Sequence, residues 1–111
     1  MRIKNWKKFN ESNQNIISTY NSYMEIVEVI DGIISEYGEL PSSCFESGLE
    51  EKVHELTTGV TKESDINIEG VKENALKLLD GIECLLATGR ISLGKYIKKP
   101  FSLSKYKTIF Q

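Results

Sequence analysis

Little in this chain breaks a helix or performs chemistry. Only two of its 111 residues are proline, Pro41 and Pro100, so long intervals are free for helices. The one histidine, His54, lies between Val53 and Glu55. A catalytic or metal-bound imidazole needs partners to orient it, and the nearby Glu50, Glu51 and Glu55 read as a solvated acidic face instead. Neither a Gly-rich phosphate loop, a nucleophile elbow nor a CxxC pair occurs. No catalytic residue, metal or cofactor is therefore expected. No apolar run reaches the roughly 18–20 residues that a membrane span requires. The basic start Met1–Lys8 has no apolar stretch behind it and is not read as a signal peptide. Cys44 and Cys84 have neither a CxxC partner nor a nearby histidine. They are expected to be free, inert thiols in a reducing cytoplasm, with Cys84 a small core residue.

What the chain does have is helical periodicity, and the expected fold class is all-α in one domain. After a basic leader over residues 1–11, Ile16, Tyr20, Tyr23, Val27, Ile30, Ile34 and Tyr37 repeat four and three apart, and Ile17, Met24, Ile26 and Ile33 broaden the stripe. This seam predicts a helix over 12–37, capped by Ser12 or Asn13, with Gly38 as C-cap and Pro41 as a stop. Ser43-Cys-Phe-Glu46 has the form of a capping box and opens a short acidic helix over 43–58, with a stripe of Phe45, Leu49, Val53 and Leu56. Residues 61–70 read as a connector anchored by Ile66 and Ile68. The best-organised stretch follows, with Val71, Ala75, Leu78, Ile82 and Leu85 on one stripe, widened by Leu79, Leu86 and Leu93. The helix is expected over 69–99, because Leu93 and Ile97 keep its face and Pro100 is a natural stop; an end at Thr88-Gly89 is the competing reading. Gly81, Gly89 and Gly94 point to a close approach or a kink. A mixed basic and aromatic tail occupies 100–111. Helix one is too apolar for one partner helix to cover, so a dimer or larger assembly is expected.

Charge is segregated. All sixteen acids lie between Glu11 and Glu83, whereas the last 28 residues carry only cations: Arg90, Lys95, Lys98, Lys99, Lys105 and Lys107. Basic ends can pack on acidic helices, or they can gather an anionic partner. Six cations mixed with apolar residues do not read as a tail for duplex nucleic acid. Tyr20, Tyr23 and Tyr37 share a face of helix one, and Tyr96 sits among lysines. Tyrosine in a seam usually packs with its hydroxyl at the edge. The sharper reading has a purine stacked on the ring and the cations on phosphates.

Two stretches resemble known proteins. Met1-Arg-Ile-Lys-Asn-Trp-Lys-Lys-Phe-Asn-Glu-Ser resembles the starts of many tailed-phage gene products. Thr88–Phe101 resembles the end of the helical hairpin in phage cyclic-nucleotide sponges, which counter CBASS and Thoeris immunity. The residues that carry it are Gly89, Leu93, Lys95, Ile97, Pro100 and Phe101. Lys95 stands where arginine is usual, Phe101 follows the proline directly where the family pattern has it near the place of Leu103, and the connector is longer. The resemblance implies an antiparallel hairpin of the two long helices, with the short acidic helix between them, assembled into a homo-oligomer. It implies a cyclic di- or trinucleotide immune signal held uncut between subunits in the cytoplasm of an infected host. The binding residues would be Arg90, Lys95, Tyr96, Lys98, Lys99, Phe101, Tyr20 and Tyr23. The alternative is a small helical phage or bacterial interaction module whose acidic surface inhibits a basic host protein. Neither reading involves a membrane.

Overall fold

A computed structural model describes residues 11–89 and 102–111, and those residues are all-helical. The first long helix, α1, spans Glu11–Tyr37 and matches the seam of the sequence. The amide of Gly38 closes it on the Ile34 carbonyl at 2.7 Å. Its buried face is Tyr23, Ile26, Val27, Val29, Ile30 and Ile33, an arc of roughly 160° at 100° per residue. That face keeps Tyr23, Val27 and Ile30 of the expected seam and Ile26 and Ile33 of its broadening, and adds Val29. Val29 is buried, Ile34 is only half-buried, and Tyr37 is 37% exposed. The row at 26, 29, 30 and 33 is wholly aliphatic, so turning it inward removes more apolar surface from water than the tyrosine-bearing row would.

The second helix, α2, spans Leu49–Thr57 and not 43–58. The capping box at Ser43 does not start it. The amides of Cys44 and Phe45 both bond the Pro41 carbonyl, at 3.1 and 3.0 Å, which makes a turn instead. Gly48 then takes φ +88°, a left-handed conformation that interrupts any helix through it. Phe45, the first residue of the expected stripe, still reaches the core, together with Leu49, Val53 and Leu56.

A 3-10 turn at Glu63–Asp65 follows within the connector. Asp65 Oδ2 accepts from the Thr61 amide and hydroxyl at 3.0 and 3.1 Å and from the Lys62 amide at 3.3 Å. These donors hold its carboxyl below the usual carboxylate range. Ile66 and Ile68 are the half-buried anchors of the connector.

The third helix, α3, spans Ile68–Ala87, begun by Asn67, whose side chain accepts from the Gly70 amide at 3.1 Å. It buries Val71, Ala75, Leu78, Leu79, Ile82 and Leu85. It does not continue to residue 99. The Gly89 amide turns back to the Leu86 carbonyl at 3.0 Å, and Gly89 adopts φ +74°, the left-handed stop that glycine supplies at low cost. Leu93 and Ile97, which continue the helical spacing in the sequence, lie outside the described residues. Gly81 is a place of close approach, as the sequence implies, but to an aromatic ring and not a backbone: a Cβ there would overlap the Phe45 ring carbons. Gly81→Ala gains about 1 kcal/mol of helix propensity but must displace a buried ring, at about 1–3 kcal/mol. A net loss of up to about 2 kcal/mol is expected in urea unfolding. In a Phe45→Ala background the same change should become neutral or stabilising.

The described part of the tail, 102–111, docks on the bundle. Residues Leu103–Phe110 form α4, whose cap Ser102 accepts from the Lys105 amide at 3.3 Å. Helix α3 is the hub, with α1, α2 and α4 all packed on it, and α4 also touches α1.

The thiols also depart from expectation. Cys44 and Cys84 are joined in a disulfide, with Cα atoms 5.6 Å apart. The expectation of two free, inert thiols is overturned, and the thiols give no argument for a reducing compartment. The turn at Pro41–Phe45, created where the capping box fails, carries Cys44 to the last turns of α3.

Candidate functional site

Of the residues singled out in the sequence, Arg90, Lys95, Tyr96, Lys98, Lys99 and Phe101 lie outside the described residues. Tyr20 and Tyr23 lie in the middle of α1. Tyr23 is wholly buried, and its hydroxyl donates to Asn74 Oδ1 on α3 at 2.7 Å. Burial, and then neighbouring Tyr20, push its pKa upward. Its ring is covered by core residues, so both its faces are taken by packing. Tyr20 is half-buried, with its ring centre 6.2 Å from that of Tyr23 and tilted by 41°. The two rings therefore form a tilted pair, not parallel walls between which a base could slide.

Asn74, the one buried polar or charged residue among the described residues, carries no sequence expectation. The signal was present, since Val71, Asn74, Ala75 and Leu78 have the spacing of a buried helical face. Its side-chain nitrogen has no partner among the described residues.

Several recesses border α2. The first is a groove between α1 and α2 of about 370 Å³. Val27, Ile30 and Val53 form its buried floor, with Met24 and Ile34 half-buried beside them. Its rim carries Asp31, Glu50 and His54, all exposed. Burial and the nearby Glu28 raise the Asp31 pKa. The second recess, of about 250 Å³, lies between the start of α2 and α3 and is bordered by Gly48, Leu49 and Asn74. Lys77 crosses its edge, 3.4 Å from Glu46 and 3.8 Å from Glu73. Among the described residues, no group of three or more histidine, cysteine, aspartate or glutamate side chains is placed to hold a metal.

The C-terminal cations divide. Lys107 is committed to acids on α3, with Nζ 2.6 Å from Glu83 and 3.4 Å from Asp80. The Tyr106 hydroxyl donates to the Glu25 carboxylate on α1. Burial, then that hydrogen bond, raises the Tyr106 pKa to about 12. Glu83, and to a lesser degree Asp80, raises that of Lys107. Both shifts are upward, so both contacts are whole below the ordinary tyrosine and lysine values and fail as pH rises through the folded ones. Helix α4 should undock between about pH 10 and 12. Tyrosinate absorbance followed together with circular dichroism would show the two changes coinciding. With Tyr106→Phe, the loss of helicity should no longer track tyrosine ionisation.

No family model, curated protein or solved structure matches this chain.

Proposed function

We propose that this protein acts by docking on a basic protein surface through the groove between α1 and α2. The observation that carries the reading is the groove itself: an apolar floor of Val27, Ile30 and Val53 under a rim of Asp31 and Glu50. A helix with apolar anchors and flanking lysines or arginines is complementary to it in shape and in charge. Glu28, Glu51 and Glu55 extend the exposed acidic surface beyond the rim and would steer such a partner. The test is a pair of charge reversals, Asp31→Lys with Glu50→Lys, at exposed positions where folding stability should change by less than about 0.5 kcal/mol. Partners captured from the producing cell, identified by mass spectrometry, should be basic at the contact and salt-sensitive in binding. They should be lost with the double variant. Capture unaffected by the reversals would overturn the reading.

A second reading is supported by a different observation. The chain after Glu83 holds no acid, and its cations include Arg90, Lys95, Lys98 and Lys99 within ten residues. Here the protein would sequester a cyclic di- or trinucleotide uncut, as an antiparallel hairpin in a homo-oligomer, with Arg90, Lys95, Lys98 and Lys99 on the phosphates and Tyr96 or Tyr20 on a base. Light scattering should then show a dimer or larger. A cyclic oligonucleotide at 100 times its Kd should stabilise the fold by about 2.7 kcal/mol and be recovered intact on heating. Lys95→Gln with Lys99→Gln should weaken it at least tenfold. A monomer with no shift for any such ligand would exclude this second reading.

A further inference from the structure

We infer that the groove between α1 and α2 receives the basic leader, residues 1–10, of a second copy of this chain. The inference rests on the reading of that groove as a dock for a basic partner, and it names the partner. The argument begins with the acids. Asp31 and Glu50 on the rim, and Glu28 one turn from Asp31, are exposed, and none of the three is in an ion pair among the described residues. Several acids elsewhere have their cations: Glu46 and Glu73 share Lys77, Glu55 has Lys52, and Asp80 and Glu83 share Lys107. Glu28 and Asp31, three apart on one helix, repel each other, and a cation between them relieves the repulsion.

The leader has what the groove lacks. It carries Arg2, Lys4, Lys7 and Lys8 and no acid, with Ile3, Trp6 and Phe9 three apart among them. On a helix that spacing gathers the three apolar side chains on one side, with Lys4, Lys7 and Lys8 on the adjoining side. Ten helical residues span about 15 Å, as does the stretch of α1 from Met24 to Ile34 that lines the groove. Trp6 then meets the floor of Val27, Ile30 and Val53, and the lysines meet Glu28, Asp31 and Glu50.

Reach decides which copy the leader comes from. Trp6 precedes Glu11, the first residue of α1, by five residues, or about 17 Å of extended chain. Ile30, in the middle of the groove, lies nineteen residues beyond Glu11, about 28 Å along the helix axis. A copy's own Trp6 therefore falls short of its own groove, and Phe9 falls shorter still. The other basic stretch, 90–101, is joined at both ends to helices of one bundle, α3 and α4, which limits its reach to a neighbour. Exchange of leaders is reciprocal in a two-fold pair, each copy giving one and receiving one. A buried tryptophan or phenylalanine contributes about 150–250 Å², so two leaders together approach the roughly 1,000 Å² of a specific interface.

The experiment is sedimentation velocity of the full chain from micromolar to millimolar concentration. Trp6 is the only tryptophan, so its fluorescence reports the contact without a label. A monomer–dimer equilibrium that weakens with salt is expected, with Trp6 emission moving to shorter wavelength as the dimer forms. Lys4→Glu with Lys7→Glu, and separately Asp31→Lys with Glu50→Lys, should each weaken association at least tenfold while helicity by circular dichroism stays parental. An equimolar mixture of the two folded variants should restore the dimer, because each leader then meets a groove of opposite charge. A parent that stays monomeric throughout, or a mixture that fails to associate, overturns the inference. Lys95→Glu with Lys98→Glu should leave association unchanged; loss of the dimer there but not with the leader reversal overturns it too. The inference and the reading it rests on fail separately. A monomeric parent whose cellular partners are still lost with Asp31→Lys and Glu50→Lys refutes the exchange alone, whereas association and cellular capture that both survive those reversals refute the groove as a dock.

Discussion

Reduction of the Cys44–Cys84 disulfide is expected to lower the unfolding free energy by about 4 kcal/mol. The bond closes a loop across a sequence separation of 40 residues. In the chain-entropy account, such a cross-link removes roughly 13 cal/mol/K from the unfolded chain, about 4 kcal/mol at 25 °C. Small domains have only about 5–15 kcal/mol in total, so this one bond is a large fraction of it. The effect acts on the unfolded state and should appear as a shifted urea midpoint, with a steeper dependence on denaturant once the longer unfolded chain exposes more surface. Cys44→Ser with Cys84→Ser should reproduce the effect of reductant, and adding reductant to that variant should do nothing further. A double variant with parental stability would show that the two sulfurs are not bonded in solution.

Phe110→Ala is the second large effect. Chain ends usually fray, yet Phe110 is 1% exposed and Tyr106, one turn earlier, is also buried. Truncating a buried phenylalanine costs about 3–5 kcal/mol where the surroundings cannot follow it. Helix α4 has only eight residues and can leave as a unit, so the loss should stop at the free energy of its docking. The two outcomes separate in the denaturant slope. A cavity in an otherwise native fold leaves the slope unchanged, whereas undocking lowers it because the native state already exposes the face beneath α4. We expect a loss of about 3 kcal/mol with a lowered slope. Lys105→Ala on the exposed side of α4 should change neither.

Helix α1 was legible almost to the residue, because a long apolar seam and the Gly38–Pro41 stop agree. The burial of Val29 and the exposure of Tyr37 were not, since both positions have helical spacing and only packing against α3 and α4 chooses between them. The start of α2 was misread because a capping box is local, while Cys44 and Phe45 are fixed by α3, some 36–40 residues away in sequence. The end of α3 shows the opposite case, since apolar periodicity in the sequence runs past the local Thr88-Gly89 stop that ends the helix. Helix α4 is too short for periodicity to declare it, though Tyr106 and Phe110 have the i,i+4 spacing of one buried face. The disulfide has no signature in a pair of cysteines so far apart. Of the candidate site, Tyr23 was visible as an aromatic in a seam, but its bond to Asn74 required knowing which faces meet.

The covalent loop has a consequence for digestion as well as for stability. Between Cys44 and Cys84 lie all of α2, the 3-10 turn and most of α3, and within that span the exposed connector Thr58–Lys62 is the accessible stretch, with Lys62 its basic residue. A single cut by trypsin after Lys62 divides the polypeptide but not the molecule, because each fragment keeps one sulfur of the pair. The nicked protein would run as one species without reductant and as two with it. It would also keep α1 and α3, now on different chains, at a high effective concentration for one another, so a molecule with a broken backbone can still refold as one body.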